Sequence, residues 1–573
     1  MKRASVYLSA AAMLTAAVLF TAILTAACRT ANPDLSELPN YRFDTSDTPG
    51  YITDAKLPFS RGLNFTTWFE APSPRAIVFT KYTEQEFKNA KSLGVDVIRL
   101  PINLHSMTSG SPAYTLDPLF LKFLDQAVDW AEQYEIYLIL DNHSFDPVAN
   151  TDPEIDKILI PVWTQMARRY KDRSKYVLYE ILNEPHGIAA QEWADIQGKV
   201  AAAIRAIDPV HSIVVGGVGY NSIDELFNLP IYDYDNIIYT FHFYDPYLFT
   251  HQGETWGSPP NLRTLKGMPF PADAHALPQI SAELKGTWIE GSIKQTYARD
   301  AAVAALAEQL DKAARFSREN GNVPLLCGEF GVFIPNSLPR DRLRWYQIVT
   351  KLLDNRNIAR TSWDYYGGFG IYKTDRGGSF ESDLNIDIIT AMGFTVPPQK
   401  TAETIRGAFT MFDNYPDPLV NFTCWNGDFD LYHPNGDKYA LSWRNANRYG
   451  SFFFSFIREI DWEYLQSNGY AVTFTAKADK DARFDLRFTA REDASSIPWR
   501  VRTTVDLAAD GQWHTLRIPL SDMQEQGAWI NARQEWRNPE GKFTWSNADS
   551  LAFVAEDNDL HGITVLFDTI KIE

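Results

Sequence analysis

The feature that most constrains this chain is an alternation. Between Leu57 and Thr395, short apolar runs that end in polar residues alternate with longer amphipathic stretches. The runs are Gly62–Phe69, Asp96–Ile102, Tyr137–His143, Val177–Asn183, Ser212–Gly217, Ile237–Tyr244, Val323–Phe330 and Arg360–Tyr365. Runs so short and so continuously apolar suit strands buried on both faces, as in a parallel sheet. The first helical stretch opens on a capping box, Thr83 with Glu86. Others cover Pro118–Tyr134, Glu154–Lys171, Ala189–Ile207, Ala298–Arg318 and Arg340–Asn355, and Leu384–Met392 closes the series. Eight strand–helix units in order predict a (β/α)8 TIM barrel over residues 57–395. The connection from Pro246 to Tyr297 is too long for a simple link, and it holds Trp256 and Trp288. Loops of that length in compact domains are usually functional.

After Gly393 the helical pattern stops, and Pro397–Pro398 marks a boundary. The rest alternates strand-like runs with turns: Tyr439–Trp443, Ser451–Ile457, Tyr470–Lys477, Phe484–Ala490, Val501–Leu507, Thr515–Ile518, Leu551–Ala555 and Thr564–Ile572. Phe484, Leu486 and Phe488 alternate with polar neighbours, the mark of a half-buried strand. Residues 396–573 are therefore expected to form an all-β sandwich.

The N-terminus reads as a targeting segment. Lys2 and Arg3 precede the uncharged run Ala4–Thr25, and Thr25, Ala26 and Ala27 lead into Cys28. Residues 1–27 are expected to be a signal peptide of lipoprotein type, with Cys28 the acylated residue. Thr25 stands where lipoprotein signals usually carry Leu, and the run is also long enough to be an uncleaved anchor. Each reading exports the protein, to the cell surface or the periplasmic side of a membrane, or free. Residues 28–56, polar with three prolines, read as a tether. Net charge is −18, which repels phosphate backbones and argues against a nucleic-acid partner. Three cysteines exclude a disulfide framework and a cysteine-based zinc cluster. Cys327 and Cys424 lie in apolar surroundings and read as buried, inert thiols.

A barrel of this kind carries its chemistry where the strands end. The second run holds Arg99; the third ends Asp141-Asn142-His143 and the fourth Asn183-Glu184-Pro185. The sixth ends His242-Phe243-Tyr244, the seventh Gly328-Glu329-Phe330-Gly331, and the eighth holds Trp363. Glu184 and Glu329 are paired carboxyls of the sort that cleave glycosidic bonds, one protonated to release the leaving oxygen and one ionised to attack. Arg99 and Tyr244 would hold Glu329 ionised, and His242 would stand beside Glu184. Glu180, four residues earlier on the same strand, reads as a buried structural carboxylate. Asp152, Asp156 and His186 are metal-ligand types without convincing spacing, so neither a metal nor a cofactor is expected.

These pieces resemble glycoside hydrolase family 5, the retaining cellulase-like enzymes. They are IRLP (Ile98–Pro101), DNH (Asp141–His143), ILNEP (Ile181–Pro185), FHFY (Phe241–Tyr244), GEFG (Gly328–Gly331) and SWDYY (Ser362–Tyr366). The resemblance implies Glu184 as acid/base and Glu329 as nucleophile. It also implies substrate contacts from Arg99, His143, Asn183, His242, Tyr244 and Trp363, with Trp256 joining from the long loop. The expected activity is retaining hydrolysis of a β-1,4-glucan, cellulose or mixed-linkage, by a monomer. Mannan and xyloglucan are alternatives, and so is a non-catalytic glycan receptor, which the presence of both glutamates disfavours. The C-terminal sandwich resembles jelly-roll carbohydrate-binding modules in layout. Trp499, Trp513, Trp529, Trp536 and Trp545 are its candidate sugar platforms, and Asp568 is a capping or calcium-holding aspartate.

Overall fold

The structure, a computed structural model, describes residues 52–573 apart from 145, 147, 258–260, 273–276, 493–496 and 532–533. The expected signal peptide, Cys28 and most of the tether lie outside the described residues. Among those described, no helix is long and apolar enough to cross a membrane.

Eight parallel strands close into a barrel in sequence order: β1 (Arg61–Asn64), β2 (Val97–Ile102), β3 (Tyr137–Asn142), β4 (Val177–Glu180), β5 (Ser212–Gly216), β6 (Ile237–Phe243), β7 (Leu325–Phe330) and β8 (Ala359–Ser362). The floor of the interior is apolar, with Val97, Ile139, Leu178, Val214, Ile238 and Leu326 in one cluster. Burying each such side chain stabilises the fold by about 1.5–3 kcal/mol. The expected strands at 62–69, 177–183 and 360–365 run past the observed ends, because their last residues leave the sheet and bend into the site.

At the seam where β1 pairs with β8, one side-chain amide adds to the backbone ladder. Asn64 Nδ2 donates to the carbonyls of Gly328 (3.1 Å), Thr361 (3.2 Å) and Ser362 (3.2 Å). The barrel's contacts also begin before residue 57. Buried Thr53 bonds to Ser317 at 2.8 Å, and Asn357 Nδ2 donates to the carbonyl of Ala55 at 2.8 Å.

Six of the expected helices are present between strands, and Ile386–Ala391 closes the series. The fifth connection differs. After β5 the chain makes only a four-residue turn, Val218–Asn221, and a 3-10 turn, Asp224–Asn228. Gly219, Tyr220 and Asn221 all have φ near +60°, so a right-handed helix cannot start there.

The C-terminal domain is a sandwich of two seven-stranded antiparallel sheets. One contains β9 (Phe409–Asp413), β10 (Tyr415–Pro416), β12 (Asp428–Asn435), β13 (Lys438–Arg444), β15 (Ala471–Ala478), β18 (His514–Pro519) and β22 (Thr564–Ile572). The other contains β11 (Val420–Trp425), β14 (Ser451–Phe456), β16 (Ala482–Ala490), β17 (Trp499–Leu507), β19 (Gln524–Ile530), β20 (Glu535–Arg537) and β21 (Ala548–Val554). Aromatic rings fill the space between them: Phe553 stacks on Phe452 at 4.6 Å and meets Phe567 at 5.0 Å. All eight expected strands are present. Beyond them lie β9–β12, β19 and β20, which give no clear strand signal because they are short, polar at alternate positions, or bulged, as β12 is between Asp430 and His433.

Candidate active site

Glu329 owes its position to a bulge. Along β6 and β7, Phe241 pairs with Cys327 and His242 with Glu329, so Gly328 is an extra residue on β7. A bulge bends the strand and re-aims the next side chain. Only glycine fits, since a Cβ at 328 would lie 2.8 Å from Thr240 Oγ1. Glu184 stands four residues past the end of β4, in the segment that leaves the sheet. Ligand atoms of Glu184, His242 and Glu329 all lie within 4.8 Å of one another. Carboxyls of retaining glycosidases stand ~5–5.5 Å apart, and those of inverting ones ~6.5–9.5 Å, with room for a water. The separation here is of the first kind.

A single guanidinium organises the floor. Arg99 Nη1 donates to Glu329 Oε1 (2.9 Å) and Asn64 Oδ1 (3.0 Å). Its Nε and Nη2 grip Glu180 at 2.7 and 2.9 Å. Nη2 also donates to Asn183 Oδ1 at 2.7 Å and lies 3.0 Å from Asp141. Burial opposes the charge, but Asp141, Glu180 and Glu329 outweigh it and hold the guanidinium charged. Arg99 was expected among the substrate contacts. Its side chain is wholly buried, and its hydrogen bonds go to the neighbouring carboxyls and amides. Asn183 is oriented by the same hub, and its Nδ2 is left without a partner.

The two glutamates differ in surroundings. Both oxygens of Glu329 take hydrogens, one from Arg99 and the other from the Tyr244 hydroxyl at 2.9 Å, the pattern of an ionised carboxylate. Glu184 lacks a guanidinium. Burial lifts it from 4.5 to about 7, with His143 and Arg99 pulling the other way. His242 Nδ1 lies 2.6 Å from Glu184 Oε1, and burial lowers the ring to about 4, so it is neutral. A neutral ring serves both states of Glu184: the carboxyl donates to Nδ1 when protonated and accepts from Nδ1–H when ionised.

His143 is a cation. Burial works against its charge, but Asp141 Oδ2, 2.7 Å from Nδ1, helps raise it to about 9. Its ring stacks on half-buried Trp363 at 5.4 Å and 19°. Trp256 is 46% exposed and packs edge-on to Phe333 at 5.0 Å, in an aromatic group that reaches Tyr244 through Phe369. Trp288, 53% exposed, lies in the same long connection.

Three further neighbours of the site carry no motif in the sequence. Glu70 Oε1 lies 4.0 Å from His143 Nε2. His105 Nε2 meets Asn142 Nδ2 at 3.3 Å. Tyr220, 47% exposed, stacks on His186 at 4.3 Å and 16°, beside the Asn183-Glu184-Pro185 segment. All three come from loops, where periodicity gives no signal. Glu70 alone had a cue, lying within eight residues of a strand end in an aromatic, polar segment.

Glu184, His242 and Glu329 are also the one cluster of three metal-type donors among the described residues. Arg99 already neutralises one of these carboxylates, with Nη1 2.9 Å from Glu329 Oε1.

The sandwich has a cleft of its own, of about 900 Å³. Trp425, Trp529, Trp536, Arg487, Arg500 and Gln526 line it. Of the five expected platforms, only Trp529 and Trp536 are there. Trp499 is buried, and Trp545 packs against Phe488. Asp568 accepts a hydrogen bond from Asn435 Nδ2 at 3.0 Å, a tie between strands.

An eight-stranded barrel with two unequal carboxyls at retaining distance defines a glycoside hydrolase. Residues 61–368 match the model of the cellulase family, glycosyl hydrolase family 5, and the chain belongs to that family. It is 30% identical over 341 residues to endoglucanase 3 of Fibrobacter succinogenes, covering 55% of this chain and 51% of that protein. With endoglucanase C of Acetivibrio thermocellus it shares 28% over 352 residues, 58% of this chain and 98% of that one. With endoglucanase H of the same organism it shares 23% over 564 residues, 92% of this chain and 56% of that one. The chain thus spans about half the length of the first and third of these relatives.

Proposed function

We propose that the chain is a retaining endoglucanase acting on a β-1,4-glucan, with Glu329 as nucleophile and Glu184 as acid/base. The observation that carries this is the pair of carboxyls within 4.8 Å, one held by Arg99 and Tyr244 and the other lifted to about 7. Glu184 protonates the leaving oxygen while Glu329 attacks the anomeric carbon. Glu184, now ionised, then takes a proton from the water that releases the sugar. Asn183 Nδ2 faces no protein partner and suits a sugar hydroxyl, and Trp363 supplies an aromatic face braced by His143. The names of the relatives support an endo-acting glucanase. The test is release of reducing ends from soluble cellulose derivatives, mixed-linkage glucan, mannan and xyloglucan, with the first-formed anomer followed by NMR. Retention on glucan supports the reading. Faster cleavage of mannan or xyloglucan reassigns the substrate, and inversion overturns the roles.

The sandwich reads as a glycan-binding module. Its cleft combines indole faces with arginines, which donate, and amide groups, which donate and accept, the needs of a polyhydroxylated chain. Anchoring through an acylated Cys28 rests on the n-region, the apolar run and the small residues before it, and would hold the enzyme at a membrane surface.

A further inference from the structure

The sandwich meets the barrel at its catalytic face. Tyr432, wholly buried, leaves β12 and enters the segment between β1 and the first helix. Its hydroxyl accepts from the Phe79 amide at 3.2 Å and donates to the Ile77 carbonyl. Its ring packs on Phe123 at 4.9 Å, and its own carbonyl accepts from Arg75 at 3.2 Å. Thr80 bonds to the Pro416 carbonyl. A second contact lies in the loop after β8, where Arg376 pairs with Asp549 at the start of β21. Both loops follow C-terminal strand ends, so both belong to the face that holds the active site.

From these contacts a short path leads to the site. The Phe79 carbonyl accepts from Trp68 Nε1 at 2.9 Å. Lys81 bonds to Thr67, and the Thr67 amide donates to Glu70, the residue beside His143. Thr66 Oγ1 donates to Asp364 at 2.6 Å and to the Tyr366 carbonyl at 3.3 Å, joining the first loop to the one that carries Trp363. Beyond two single 3-10 turns, the 66–82 segment has only one bridge, from Phe69 to Ile102 of β2. Its shape depends on what it is bonded to.

We propose that Tyr432 is a positioning residue for the catalytic barrel: the sandwich clamps the loops after β1 and β8 and so sets the wall formed by Glu70, His143 and Trp363. The sandwich is then part of the catalytic unit as well as a binding module. The kinetic half of the test rests on the glucanase reading, and the exchange half does not.

Tyr432→Phe keeps the ring and removes both hydrogen bonds. Hydrogen–deuterium exchange in the full chain should quicken at residues 66–82, first at the Phe79 amide, while the barrel strands keep their protection. KM for a short soluble cello-oligosaccharide, too short to span both domains, should rise about fivefold with kcat within about twofold, as expected when binding geometry and not chemistry is disturbed. Arg376→Asp should raise KM in the same way, and adding Asp549→Arg in the same chain should restore it. Unchanged exchange at 66–82 in Tyr432→Phe overturns the proposal even if no glucan is cleaved. So does a lowered melting temperature with KM unchanged, or a charge swap that restores nothing. An inactive wild-type chain with faster exchange at 66–82 in the variant removes the glucanase reading and keeps the clamp.

Discussion

Glu184 decides how much enzyme is ready for the first step. An ordinary glutamate at 4.5 would hold its proton in only about 0.3% of molecules at pH 7, whereas one lifted to about 7 holds it in about half. Burial therefore gives the acid form roughly a 150-fold advantage at neutrality. The value of kcat/KM on an unactivated glucan should fall about tenfold per pH unit above about 7, since it reports the free enzyme's acid. Glu184→Gln cannot donate a proton. Activity on glucan should fall by about three orders of magnitude, while an aryl glycoside with a good leaving group should lose far less and show no basic limb near 7 in its cleavage step. His143 supplies an independent handle. Its imidazolium pulls the Glu184 value down, so His143→Gln should move the basic limb upward. The assay is initial rates from pH 4 to 9 on both substrates for the three proteins. A basic limb that stays at 7 in Glu184→Gln, or fails to move in His143→Gln, refutes the assignment.

Glu329→Ala should lose nearly all activity, and azide should restore some by attacking from the vacated side, giving the inverted glycosyl azide by NMR; Glu184→Ala with azide should give the retained one. Asp208 bonds to His211 Nδ1 at 2.6 Å and Tyr179 at 2.8 Å, and these partners and two backbone amides hold its carboxyl well below the usual range despite burial. A depressed carboxylate stabilises above its ordinary value and loses that as pH falls, so Asp208→Asn should cost about 2 kcal/mol at pH 7 and less near pH 2 by denaturant unfolding. Trp536→Ala should weaken retention on insoluble glucan in affinity electrophoresis or pull-down while leaving KM for short oligosaccharides unchanged. With its leader intact, the chain should partition with membranes, and Cys28→Ser should release it; a wild-type chain found in the soluble fraction would contradict the anchor.

The barrel was legible because its strands are buried on both sides and so stay apolar without interruption. The site was legible in part for the same reason: Arg99, Glu184 and Glu329 are charges placed against an apolar background. What those charges do was less legible. Arg99 sits in the run Val97–Ile102 and looks like any lining residue until the fold brings Asp141, Glu180, Asn183 and Glu329 around it. No helical stretch is read between the fifth and sixth runs, and the left-handed backbone at Tyr220 and Asn221 keeps a helix from starting there. Loop residues such as Glu70 and Tyr220 carry no period. Of the five candidate platforms in the sandwich, Trp529 and Trp536 line its cleft; indole count says that aromatic faces exist, and only the fold decides which of them share a cleft.

The amide of Asn64 belongs to two structures at once. Its nitrogen ties the first strand to the last, and its oxygen accepts from the guanidinium that holds the nucleophile. Residues 64, 99 and 329 come from the beginning and the end of the barrel sequence, so no run of early strands assembles them. Glu329 lies on β7, so a chain that stops before β7 lacks that carboxyl, and one whose last strands have not docked leaves it away from Arg99. Hydrolytic competence therefore arrives all at once, with ring closure, and turnover per molecule counts closed barrels rather than folded secondary structure.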